Sequence, residues 1–129
     1  MIEITWLSHK ACLATHEFML AQYGGSAGLR DENMLASALA KPQHLVAYGN
    51  PDITDLAASY AIGVVKNHPF VDGNKRTGFM LAAGFLELNG YQFVAAEAAA
   101  AVHTIALAAG EISEADYAAW LKKNSRKAK

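Results

Sequence analysis

A single cysteine in 129 residues rules out an intrachain disulfide, and Cys12 lies among apolar residues near Trp6 and Leu13, as a small core residue would. Proline is scarce: Pro42, Pro51 and Pro69 punctuate the chain as a helix end, a turn and a loop entry. No apolar run is long enough to span a bilayer, because the alanine-rich "AAEAAAAVHTIALAAG" is broken by Glu97 and His103. The opening "MIEITWLSHK" lacks the basic-then-apolar order of a leader, so a soluble, cytoplasmic protein with no membrane partner is expected. Cations are few outside the carboxyl end. All 12 carboxylates precede Lys122, whereas Lys122, Lys123, Arg126, Lys127 and Lys129 are five of the 11 cations. That tail reads as a solvated, frayed end, and no direct nucleic-acid contact is expected.

What is present is apolar residues at helical spacing, 53% of the chain, in a length that buries one core: a single domain, 1–129, of the all-α class. Ser8 caps "HKACLATHEFMLAQY", which stops at Gly24-Gly25. Asp31 caps "ENMLASALAK", which Pro42 ends. "QHLVAYGNPDI", with aromatic and β-branched residues before Gly49-Asn50-Pro51, reads as a small β-hairpin flap. A helix then starts near Thr54 or Asp55 and stops at His68, because Pro69 disfavours helical geometry in the residue before it. From about Asn74, "KRTGFMLAAGFLELNG" is apolar nearly all round, the pattern of a helix buried in a bundle. Two more helices follow, over about Ala95–Ala109 and after Ser113.

Between those helices "HPFVDGNKRTG", His68–Gly78, gathers an imidazole, a carboxylate, an amide and two cations. The run feeds a helix N-terminus, where unpaired N–H groups and the dipole attract an anion. Lys75 and Arg76 are disfavoured there by the same dipole, which a polyphosphate offsets. Gly73 lets a ligand approach the backbone, and Asn74 adds a donor. Asp72 repels phosphate but is a hard ligand for magnesium bridging phosphate oxygens. His68 can take a proton from an attacking hydroxyl, while Phe70 points inward and anchors the loop. Other chemistries lack their residues. "GNKRTG" has no Gly-Lys-Ser/Thr ending, no HExxH, paired-cysteine or GxSxG pattern occurs, and His9, His16, His44 and His103 are scattered, as surface or locally satisfied helix residues are.

"HPFVDGNKR" resembles the signature of the Fic/Doc family, HPFx(D/E)GN(G/K)R, at every fixed position. "YGGSAGLRDENMLASALAKPQ", "ITDLAASYAIGVVKN" and "GEISEADYAAWL" are similar to the Doc branch, a set of type II toxins, so the resemblance covers nearly the whole chain. It implies a helical core around a central helix, a loop binding Mg2+ and ATP, and a flap, here "HLVAYGN", that docks a target segment by strand addition. It further implies His68 as the catalytic base, Asp72 as the metal ligand, and Gly73, Asn74, Lys75 and Arg76 around the phosphates. Lys75, where AMP-transferring members have a second glycine, implies a reversed nucleotide and a Doc-type protein kinase acting on the elongation factor that delivers aminoacyl-tRNA, with arrested translation. Pro69 and Gly73 follow the general family pattern instead, which keeps protein AMP transfer as the alternative; a catalytically silent binding module is a third reading. The inhibitory pattern Ser/Thr-x-x-x-Glu-Gly/Asn is incomplete, since Gly28 precedes Glu32-Asn33, so an antitoxin is expected to inhibit in trans.

Overall fold

Cap residues set most of the helix boundaries. The protein, a computed structural model, is described for residues 3–128; Lys129 of the basic tail lies outside them. Ser8 accepts from the Ala11 N–H to start α1, His9–Tyr23, which Gly24 ends at φ 77°. Asp31 caps α2, Glu32–Tyr48, and Asp52 with Asp55 forms a capping box for α3, Ile53–Asn67. Then come α4, Asn74–Leu88; β1, Tyr91–Phe93; α5, Glu97–Ala109; α6, Glu114–Lys123, opened by a Ser113–Asp116 capping box; and β2, Ser125–Lys127. The chain is all-α with one small antiparallel sheet, in which Tyr91 faces Lys127 and Phe93 faces Ser125.

The centre of the bundle is α3, of whose 15 residues ten are buried against eight of 15 in α4. It packs on α2, α4, α5 and α6, and Tyr60, Val64, Val65, Phe85 and Tyr117 fill the core around it. Small residues let the helices approach closely. A Cβ on Gly63 would lie 2.9 Å from the Ala38 Cβ of α2, and one on Gly78 of α4 would lie 2.9 Å from the Val65 Cγ1 of α3. The short link between α3 and α4 is therefore held from both sides. Cys12 is fully buried, and burial pushes its thiol up to about 12, the state of an inert core residue.

Three expectations are corrected. Pro42 does not end its helix: α2 runs through it to Tyr48. The proline leaves the Ala38 carbonyl without its helical N–H, and that carbonyl faces Gly63, whose missing side chain lets α3 close over it. Residues 44–48 are consequently helical, so "HLVAYGN" is no flap edge, and the two strands that do pair are separated by α5 and α6 rather than joined as a hairpin. Finally, residues 125–127 of the basic tail are not frayed but form β2, with the Ala128 N–H donating to the Gly90 carbonyl. Among the described residues no helix is long and apolar enough to cross a membrane.

Candidate active site

The loop between α3 and α4 begins at His68, the one non-glycine residue with positive φ among the described residues, at φ 49° and ψ 55°. An L residue there is strained, and such strain persists only where neighbours enforce it. Arg30 does so: its Nε donates to the His68 carbonyl at 2.6 Å and its guanidinium donates to the Asn67 carbonyl at 2.8 Å. A cation on the last carbonyls of α3 also opposes the negative end of the helix. Next to it, the Arg30 and Asp31 N–H groups donate to the Pro69 carbonyl, and the Val71 N–H donates to Gly28. Leu29 and Phe70 thereby face each other as an antiparallel bridge.

Phe70 is the buried anchor expected of it, 1% exposed, and Asn74 secures it. The Asn74 Oδ1 accepts the Phe70 N–H at 3.0 Å and its Nδ2 donates to the Phe70 carbonyl at 2.9 Å. Asn74 thus spends its side chain on the loop, and its own main-chain N–H is what it presents at the start of α4. The same Nδ2 lies 3.5 Å from the His68 Nδ1, too far to fix that ring's tautomer. On the other side of the loop, the His16 ring of α1 stacks on Phe70 with centroids 3.8 Å apart, and its Nε2 donates to the Asp72 carbonyl at 2.7 Å.

No side chain caps α4, whose N-cap, Gly73, sits at φ 78°. The first-turn N–H groups of Asn74, Lys75 and Arg76 are left open toward a cleft of about 650 Å³. His68, Val71, Asp72 and Gly73 line one wall with the start of α4; Met19 and Tyr23 of α1 and Ala100, Ala101 and Ile105 of α5 line the others. Lys75 makes no ion pair among the described residues, and the Arg76 guanidinium lies 4.3 Å over the Tyr23 ring. Tyr23 in turn donates its hydroxyl to Glu97 at 2.8 Å, which pushes its pKa up.

The Asp72 carboxyl is held below the usual carboxylate range, first by the Ser26 N–H and then by the Gly73 N–H, with smaller help from His16 and Arg76. It is fully ionised at neutral pH and exposed to the cleft. No group of three or more His, Cys, Asp or Glu residues that could cage a metal occurs among the described residues. A lone carboxylate beside open phosphate donors fits magnesium, which keeps most of its shell in waters and phosphate oxygens. It does not fit a caged structural metal.

The cleft therefore brings His68, Asp72, Gly73, Lys75 and Arg76 together, with Phe70 and Asn74 beneath them as loop supports. Two supports, His16 and Arg30, were not singled out by the sequence. His16 is a satisfied helix residue, but its partner is the loop 56 residues away, a pairing that spacing within a helix cannot reveal. Chemically, the arrangement puts an imidazole, an ionised carboxylate and two cationic side chains within one wall, groups that could serve as base, metal ligand and phosphate donors.

Residues 6–86 match the model of the Fic/DOC family. The chain is 31% identical over 118 residues to the protein kinase doc of Escherichia phage P1, covering 91% of this chain and 93% of that protein. It is also 42% identical over 76 residues to toxin Doc of Mycolicibacterium smegmatis, covering 57% of this chain and 58% of that one.

Proposed function

The chain belongs to the Fic/DOC family, and from that premise we propose that it is a Doc-like toxin, a transferase that moves the γ-phosphoryl group of ATP onto a hydroxyl side chain of a protein target. The observation that carries this reading is Lys75, unpaired at the uncapped N-terminus of α4 and on the same cleft wall as His68. A cation in that place stabilises a bound terminal phosphate next to the base, whereas a glycine would leave room for a longer phosphate chain.

In the reaction, the target hydroxyl oxygen bonds to the γ-phosphorus while the bond from that phosphorus to the β–γ bridging oxygen breaks. ADP leaves with that electron pair, and the hydroxyl proton passes to a ring nitrogen of His68. Asp72 would hold Mg2+, which when bound would supply charge neutralisation at the phosphates. The open N–H groups of Asn74, Lys75 and Arg76 with the two cationic side chains orient the phosphates, and the strained, Arg30-held turn sets the His68 backbone at the loop's entry.

The target segment needs an extended edge, and residues 44–48 cannot supply one from within α2. Leu29 can. In the pairing of Gly28–Arg30 with Pro69–Val71, the bonds made by Gly28 and Arg30 leave the Leu29 N–H and carbonyl pointing away from Phe70, whose own outward groups are taken by Asn74. By family resemblance the target is the elongation factor that delivers aminoacyl-tRNA, with arrested translation as the result and an antitoxin as inhibitor in trans, folding on this domain as it binds.

Incubation of the protein with elongation factor, ATP and magnesium tests the reading by the mass gained on the target. One phosphate, lost in His68→Ala, is the expected result; no added mass, or the same labelling with His68→Ala, overturns it. AMP transfer is the second reading, favoured by Pro69 and Gly73, which both follow the general family pattern. An added AMP selects it over phosphoryl transfer.

A further inference from the structure

The His16 ring meets the loop from beneath at two places, the Phe70 ring and the Asp72 carbonyl, and lies close under Gly73. It is 4% exposed, its face lies parallel to Phe70 within 8°, its Nε2 is 2.7 Å from the Asp72 carbonyl, and a Cβ on Gly73 would sit 3.7 Å from that same nitrogen. A carbonyl only accepts, so the hydrogen must reside on Nε2. No other hydrogen bond to the Asp72 carbonyl is formed among the described residues.

The orientation of the Asp72–Gly73 peptide decides two things at once. It aims the Asp72 carboxylate at the Ser26 and Gly73 N–H groups, and it sets the left-handed Gly73 turn that leaves the first N–H groups of α4 uncapped. Tilting that peptide would move the metal carboxylate and the phosphate donors together. We propose that His16 is the positioning residue of this site: its Nε2–H fixes the Asp72–Gly73 peptide, and its stacked ring fixes Phe70, so that metal ligand and phosphate donors share one frame. The proposal rests on the magnesium–nucleotide reading above for its functional consequence, while its structural part stands on the ligand-free protein alone.

Three variants separate the parts. His16→Phe keeps a flat ring on Phe70 and removes the donor, His16→Gln restores a donor of similar reach, and His16→Leu removes both. Amide 1H–15N spectra of the ligand-free protein are read first. In His16→Phe the Gly73, Asn74 and Lys75 amides should shift and the Gly73 N–H should exchange faster, with His16→Gln returning toward wild type. In the transfer assay, His16→Phe should raise the Mg2+ concentration for half-maximal activity and the nucleotide KM on the order of 10-fold, as loss of a group that orients a metal ligand does. Its kcat at saturation should stay close to wild type, and His16→Gln should recover most of the loss.

A folded His16→Phe with unmoved loop amides and wild-type Mg2+ dependence overturns the proposal. So does a His16→Gln no better than His16→Phe, because packing alone then explains the effect. If the wild-type protein transfers nothing while the loop amides respond as described, the magnesium–nucleotide reading fails and the positioning of the loop by His16 stands. A His16→Leu that fails to fold does not affect these outcomes, since His16→Phe carries them.

Discussion

Replacing Asn74 by alanine separates a loop support from a phosphate donor. The Asn74 amide closes both ends of the Phe70 main chain, with bonds of 3.0 and 2.9 Å, in a place where Asn74 is 6% and Phe70 1% exposed. Alanine leaves one buried N–H and one buried carbonyl without partners, at about 1–3 kcal/mol each, so Asn74→Ala should lose roughly 2–6 kcal/mol. A domain of this size shifts its melting temperature by about 3–5 °C per kcal/mol, which predicts a fall on the order of 10 °C or more. Urea unfolding followed by far-ultraviolet circular dichroism gives the free-energy loss directly, as a lower midpoint at unchanged slope. Hydrogen exchange locates it: the Phe70 amide should lose its protection while amides in the middle of α3 keep theirs relative to global unfolding. Lys75→Ala is the comparison, because an exposed side chain without an ion pair should change stability by no more than about 0.5 kcal/mol. An Asn74→Ala protein that unfolds at the wild-type midpoint, and differs only in nucleotide KM, refutes the assignment and returns Asn74 to the phosphates.

His68→Gly should abolish transfer yet melt at or slightly above wild type, since the left-handed backbone costs a histidine roughly 1–2 kcal/mol and glycine's extra chain entropy offsets only part of that relief; a clearly lower melting point would mean that the ring itself holds the loop. Gly63→Ala should destabilise by about 1–3 kcal/mol in urea, because its Cβ meets the Ala38 Cβ at 2.9 Å and the Ala38 backbone at 3.1 Å, which cannot give way as a flexible side chain could. Wild-type stability for Gly63→Ala would refute the close approach of α2 and α3. Asp72, whose folded pKa lies below its usual 3.8, favours the folded state above that value and loses this contribution as pH falls through the folded one. Urea midpoints of wild type and Asp72→Asn should therefore differ by a constant amount from pH 7 to about 5 and converge toward acid; divergence toward acid would reverse the sign and refute the hydrogen-bonded carboxylate.

What sequence could reveal follows the range over which each feature is decided. Ser8, Asp31 and Ser113 cap their helices through groups three residues away, and all three were legible. The fate of Pro42 was not, because a proline inside a helix is tolerated or not by tertiary packing, here the close approach of α3 at Gly63 to Ala38 one turn before it. Local propensity over residues 43–48 favoured extended chain, and tertiary packing overrode it. In the site, His68, Asp72, Lys75 and Arg76 fall within nine consecutive residues and line the same cleft. The motif could not show that Asn74 turns inward, and it was blind to Arg30 and His16, whose partners are 38 and 56 residues distant.

These supports share a chemical feature that explains why the reactive side chains are free. Arg30, Asn74 and His16 all bond to main-chain groups of the loop, at His68, Phe70 and Asp72 in turn, and each comes from a different part of the fold. The backbone is thereby held at alternate residues without recruiting the His68 ring or the Lys75 side chain, whose conformations stay available to substrate. A substitution in a support must then alter stability and ligand affinity together, whereas one at His68 or Lys75 alters chemistry with the loop intact. On the phosphoryl-transfer proposal, that separation would let the transferred group turn on a single position, Lys75, with the same supported loop carrying either outcome.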